Sequence, residues 1–149
     1  MIDPDTIRKM KNQKVIYFTI IIICLLGSLV SIFFPYLEKL DMLRGDLDLL
    51  DSVPGYKLIM PRFILIFMFL TVFAKNETRA FIYSFIILCF VYYTRTAIHY
   101  QGFLDHDYHS KTGIVYYILF VFSIIFFLAT TINWIRMFWL KRKAAPNSA

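Results

Sequence analysis

The sequence predicts an all-α membrane protein, a bundle of four antiparallel transmembrane helices with a short amphipathic helix in its first outer loop. Hydrophobic residues make up 59% of the 149 residues and charged residues 17%, whereas soluble domains average about 45–50% and about 25%. The charged residues also cluster, which leaves four long apolar runs between them. We therefore expect a single four-span domain, residues 1–149, whose solvent is largely lipid.

Each apolar run is read as one span, because about 20 helical residues cross a hydrocarbon core about 30 Å thick. The first run is too long for the core of a signal peptide, and no small-residue cleavage site follows it. Only residues 75–79 separate the second run from the third, which predicts an antiparallel hairpin. The predicted spans are 15–34, 58–74, 80–98 and 113–135, with outer loops at 35–57 and 99–112 and tails at 1–14 and 136–149.

The distribution of basic residues predicts the orientation. Lys and Arg beside span ends stay in the cytoplasm, and here they favour one face by ten to six. The ten lie in the two tails and in the hairpin, at Lys75 and Arg79. We therefore expect a multi-pass protein of the cell inner (plasma) membrane with both termini cytoplasmic. Orientation and contact with anionic lipid account for the net charge of +6, so no nucleic-acid partner is expected.

The first outer loop carries a leucine repeat at intervals of three or four residues, typical of one face of a helix. The leucines are followed by Pro54-Gly55, which breaks helices and turns the chain back. We therefore predict an amphipathic helix lying at the outer surface. Its acidic side is a candidate surface for a partner, and the alternative is a lid that only covers the helix ends. The leucines are Leu37, Leu40, Leu43, Leu47 and Leu50, and the partner surface is Glu38, Asp41, Asp48 and Asp51.

Two arginines, Arg62 and Arg95, lie within the second and third apolar runs near their outer ends. A guanidinium at that depth is costly unless it snorkels to lipid phosphate or meets an anion. The acidic residues of the outer loops are at the right level to supply the anion. We predict structural ion pairs between these arginines and Asp51, Asp105 or Asp107, with snorkelling as the alternative.

All three histidines occur in the second outer loop. His106 and His109 are three residues apart, so one helical turn would put both on one face. With Asp105 or Asp107 they could hold zinc or another divalent ion. The alternative is a solvated polar loop that titrates near pH 6.5. The cysteines, Cys24 and Cys89, form no CxxC pair, and no cofactor is expected.

No catalytic motif is present, and no acidic residue lies in a span to couple transport to protons. Small size, four spans and basic ends give the chain a layout that resembles the four-span immunity proteins, which guard bacterial inner membranes against pore-forming colicins. The resemblance lies in Arg8-Lys9, the Lys141-Arg142-Lys143 end and the fourth span around Ile124-Ile125-Phe126-Phe127. It is one of architecture, and it implies no binding residues.

The leading functional hypothesis is therefore a non-enzymatic protein that contacts another membrane or periplasmic protein, as an accessory subunit, a regulator or an immunity-type protector. A small transporter or pore, formed by a homo-oligomer, is the first alternative. It would need a polar stripe through the spans. A membrane enzyme that uses the His/Asp outer loop is the second. It would need the loop carboxylates or histidines for activity.

Overall fold

The computed structural model describes residues 4–41, 49–104 and 108–144, with side chains for 11–36, 53–96 and 113–142. Four long elements are helical: α1 (Pro4–Ser31), α2 (Ile59–Val72), α3 (Glu77–Leu104) and α4 (Ile114–Ala144). Three short strands, β1 (Pro35–Asp41), β2 (Leu49–Pro54) and β3 (Tyr108–Thr112), lie between helices, and a 3-10 turn (Gly55–Lys57) leads into α2.

The four helices pack antiparallel, as predicted. Each helix contacts its neighbours in the order α1, α2, α3, α4 and back to α1. Two helices contain segments long and apolar enough to cross a membrane, Lys11–Ser31 and Ile114–Arg142, whereas α2 is a shorter apolar helix of 14 residues. At 1.5 Å per residue α2 is about 21 Å long. Because α1 begins and α4 ends beside the α2–α3 turn, we call that end of the bundle the hairpin end and the opposite end the sheet end.

Apolar side chains fill the interior of the bundle and also cover much of its surface. Large apolar side chains of all four helices are exposed. Among the side chains described, the buried polar ones are all hydroxyls, and together with Cys24 they let the helices approach closely. On α1 the small residues Cys24, Ser28 and Ser31 are all buried, at intervals of four and three residues. The buried hydroxyls are Ser28, Ser31, Thr71, Ser84, Thr94, Ser123 and Thr130.

The predicted amphipathic helix in the first outer loop is wrong. The chain at 35–41 and 49–54 forms β1 and β2, an antiparallel pair, and β3 from the second outer loop joins them. The strand order is β2-β1-β3. Leucine spacing favours a helix only locally, whereas here β1 gains backbone hydrogen bonds to strands on both of its sides. Residues 42–48, which carry Leu43 and Leu47, lie outside the described residues.

Backbone hydrogen bonds join the sheet to the ends of the helices. The Tyr56 amide donates to the Ile32 carbonyl (2.8 Å), and the Gly55 amide donates to the Phe34 carbonyl (3.1 Å). On the other side of β1, the Gly113 amide donates to the Tyr36 carbonyl (2.9 Å), which fixes the start of α4. The end of α1 is thereby attached to the entries of α2 and α4.

Tyr36 is the side chain around which this end packs. It is 0% exposed, and its hydroxyl lies 2.8 Å from that of Ser31. Since Ser31 donates its own proton to the Ser28 carbonyl, the tyrosine is the donor. Burial raises the pKa of Tyr36 to about 12, although the hydrogen bond with Ser31 opposes the shift. The tyrosine therefore stays neutral at all ordinary pH.

Candidate functional sites at the two ends of the bundle

The sheet end carries most of the residues predicted to face a partner. Glu38 and Asp41 belong to β1, Asp51 belongs to β2, and Asp48 lies outside the described residues. The strand register sets Glu38 opposite Lys111 of β3, and Asp51 opposite Lys39 of β1. The partner surface stays a prediction, with two of its acidic positions opposite basic ones.

The two arginines near this end are both exposed on the protein. Arg62 donates its Nε–H to the Tyr56 carbonyl. Its guanidinium is therefore hydrogen-bonded to a backbone oxygen in the turn that leads into α2. Arg95 lies on α3, and Asp105 and Asp107, its predicted partners, fall outside the described residues. The side chain of Asp51 is also not described. Ion pairing of either arginine with a loop carboxylate stays a prediction.

The histidine loop, whose predicted metal site depended on a helical turn, is described only in part. The third helix runs on to Leu104, and His109 lies in β3. One of the four predicted ligands is therefore described by its backbone alone, and the metal site stays a prediction. His106, Asp105 and Asp107 lie outside the described residues. Within the described part of the chain, no group of three or more His, Cys, Asp or Glu side chains is placed to hold a metal ion.

The hairpin end contains a cavity of about 530 Å³ between all four helices, which we call the basic pocket. Such a volume falls within the range of about 300–1,000 Å³ that is usual for small-molecule sites. Four of its lining side chains are cationic, Lys11, Lys14, Lys75 and Arg136, and one, Glu77, is acidic. Its deeper wall is formed by buried or half-buried side chains, Tyr17, Ile21, Thr71 and Ala80.

Local structure explains how these charges come together. The Asn76 side chain accepts a hydrogen bond from the Thr78 amide (3.0 Å), an N-cap that starts α3 directly after the turn. Glu77 therefore occupies the first turn of α3, where a negative charge is favourable. The Trp134 ring stacks on Phe81 with centroids 4.9 Å apart, which holds α4 beside α3. The last turns of α4 consequently lie over the start of α3.

Glu77 and Lys141 form the one ion pair among the side chains that the structure describes, with Nζ and Oε2 3.3 Å apart. The pKa of Glu77 is lowered, first by a hydrogen bond from its own backbone amide, then by Lys141, and finally by the charge of Lys14, while partial burial opposes the shift. Glu77 is therefore ionised at neutral pH, yet one carboxylate does not balance the four cations of the basic pocket.

From the sequence, these basic residues were assigned to orientation and to contact with anionic lipid, and the cavity was missed. The signal was present: cations border three separate apolar runs on the same predicted face. Predicting a pocket from them requires the helix packing. Comparison with protein-family models, with curated proteins and with solved structures found no match.

Proposed function

We propose that this protein is a polytopic inner-membrane protein that acts by binding another membrane or periplasmic protein at its sheet end. It would serve as an accessory subunit, a regulator or an immunity-type protector. The observation that carries the proposal is the attached sheet. A small three-stranded sheet is secured to three helix ends by backbone hydrogen bonds, and β2 and β3 are its edge strands. Edge strands present backbone donors and acceptors to which an extended segment of a partner can add.

The membrane location is supported by the apolar side chains on the surface of the bundle. Soluble monomers rarely expose contiguous apolar patches larger than a few hundred Å², whereas here exposed Ile, Phe, Leu and Val side chains occur along every helix. Small hydroxyl side chains are buried between the helices, as in helices that associate within lipid. Retention in the membrane pellet after alkaline carbonate washing is expected, and release into the supernatant would contradict the location.

The proposed orientation follows from the excess of basic residues at the hairpin end. A reporter that is active only in the cytoplasm should be active when fused after Lys143. The same reporter inserted near Asp48 or Asp105 should be silent. Activity at Asp48 would reverse the orientation and would place the sheet in the cytoplasm.

Site-specific photocrosslinking in native membranes tests the binding surface. A photoreactive residue at Ser52 of β2 or Ser110 of β3 is expected to give a discrete adduct with one protein. The control position is Leu128, which is exposed on α4 far from the sheet. An adduct that forms equally from Leu128, or none from either strand, would contradict the proposal. An adduct that contains only a second copy of this chain would favour the oligomeric transporter or pore instead.

A further inference from the structure

We infer that the basic pocket binds the phosphate headgroup of an anionic phospholipid, with an acyl chain lying in the adjoining groove between α1 and α4. The inference concerns the hairpin end. It rests on the proposed membrane location but not on the sheet as a partner surface.

The charge of the pocket selects an anion. Lys11 and Lys14 come from α1, Lys75 from the turn and Arg136 from α4, so cations converge from three directions on one cavity. The single acidic side chain described there, Glu77, is already paired with Lys141 at 3.3 Å. Lys14 also lies 6.0 Å from the centroid of the Phe18 ring, at the outer limit of a cation–π contact. A phosphate can accept hydrogen bonds from several such donors at once.

The surroundings of the pocket select an anion with an apolar tail. A second cavity, of about 240 Å³, adjoins the basic pocket, and Tyr17, Asn133 and Arg136 line both. The rest of this groove is mostly apolar, and its Ile16 and Ile132 are exposed at the surface of the bundle. A ligand can therefore place its charge in the basic pocket while its chain extends along the groove between α1 and α4.

A phospholipid fits these features better than a soluble phosphate does. A soluble phosphate would use the cations and leave the groove between α1 and α4 empty. The predicted cytoplasmic leaflet is also where anionic lipids concentrate, and basic pockets between helices on that side suit their headgroups. The proposed ligand is thus a phosphodiester with two acyl chains, such as phosphatidylglycerol.

The wild-type protein in detergent allows a direct test. Native mass spectrometry after incubation with equal amounts of phosphatidylglycerol and phosphatidylcholine should show one retained phosphatidylglycerol, and thermal unfolding should shift upward with that lipid alone. Glycerol phosphate, the soluble headgroup, should give no shift at the same concentration. An equal shift with glycerol phosphate would show that the site takes free phosphate. No preference between the two lipids would overturn the inference.

Matched variants locate the site. Lys14→Gln with Arg136→Gln removes two charges from the pocket, and since each cation near anionic lipid is worth about fivefold in affinity, binding should weaken roughly 25-fold. Arg79→Gln with Arg142→Gln removes two charges from the same end outside the pocket and should change binding little. Equal losses in the two variants would mean attraction by net charge alone and would overturn the inference. If the first variant fails to fold, Lys75→Gln and the wild-type lipid competition still decide the question.

Discussion

The sheet end and the hairpin end of the bundle are held together in different ways. At the sheet end the links are backbone hydrogen bonds of 2.8–3.1 Å between the end of α1 and the entries of α2 and α4, around the fully buried ring of Tyr36. At the hairpin end the links are side chains at the surface: an indole N–H of Trp134 to Thr78 at 3.3 Å, and the pair of Glu77 with Lys141.

This difference indicates which end of the bundle can adjust its structure and which end is fixed. Backbone links specify one register and resist displacement, because an unpaired buried amide or carbonyl is costly. Exposed charge pairs are individually worth little and respond to salt and pH. The sheet end is suited to presenting a fixed surface, and the hairpin end is suited to accommodating a charged ligand. The substitutions below test that contrast, beginning with the largest expected effect.

The largest effect is expected from Tyr36→Ala. Truncating a fully buried aromatic ring leaves a cavity and typically costs about 3–5 kcal/mol in the free energy of unfolding. Tyr36→Phe keeps the ring and removes only the hydroxyl, so it should cost about 1 kcal/mol. Ser31 would still donate to the Ser28 carbonyl at 2.8 Å and would not be left without a partner. Unfolding in mixed detergent–dodecyl sulfate micelles measures both, and equal losses would contradict the packing role.

The next effect is expected from Gly113→Ala at the start of α4. A Cβ at this position would meet the backbone carbonyl oxygen of Pro35, which cannot rotate away. The Gly113–Tyr36 hydrogen bond would have to lengthen, at a cost of about 1–3 kcal/mol. Gly27→Ala is the control within the bundle, because its Cβ would lie 2.5 Å from the Phe122 ring, a side chain that can move. If Gly27→Ala lowered the free energy of unfolding more than Gly113→Ala in the same assay, the backbone links of the sheet end would not be the more rigid ones.

The helices could be predicted from the sequence, and the sheet could not. Apolar runs of the right length indicate helices wherever they occur, and the helices then extend past those runs into polar turns, as α3 does to Leu104. The sheet depends on pairing between residues that are far apart in sequence, such as Glu38 and Lys111. No local sequence pattern predicts such a pairing. Pro35 and Pro54, which lie opposite each other at one end of the β1–β2 pair, were the available signal.

The candidate sites could be predicted only in part, for the same reason. Identifying the cations needed only the sequence, but their convergence on one cavity depends on how α1 packs against α2 and α4. The leucine repeat was misleading because intervals of three and four residues satisfy a helix without excluding a strand. Spacing specifies a periodicity, and long-range pairing decides which element forms.

A smaller effect is expected at Arg95, where the sequence predicted an ion pair with Asp105 or Asp107. Because Arg95 is exposed on the protein, such a pair should be worth about 0–1 kcal/mol rather than the 3–5 of a buried one. If pairing occurs, Arg95→Lys and the double change Asp105→Asn, Asp107→Asn should each lower the midpoint of thermal unfolding in detergent slightly. If both variants unfold at the same temperature as the wild type, the arginine snorkels to lipid phosphate instead.

The smallest effect is expected from Glu77→Gln, and pH makes it measurable. The folded-state pKa of Glu77 lies below the ordinary value of 4.5, chiefly because its own backbone amide donates to the carboxylate. Its contribution to stability is therefore fully present above about pH 5 and is lost as pH falls through 4.5 toward the folded-state pKa. Since Lys141 is 68% exposed, the contribution should be under about 1 kcal/mol. The difference in unfolding free energy between wild type and Glu77→Gln should accordingly shrink as the pH falls from 6 to 3.

Lys141→Gln is the control for this prediction. It removes the charge of Lys141, which is the weaker cause of the lowered pKa, and it leaves the backbone amide of Glu77 in place. Stability should therefore keep most of its pH dependence in this variant. If the difference in unfolding free energy between wild type and Glu77→Gln stays constant with pH, the carboxylate does not stabilise the start of α3. The hairpin end would then depend on its stacked rings instead.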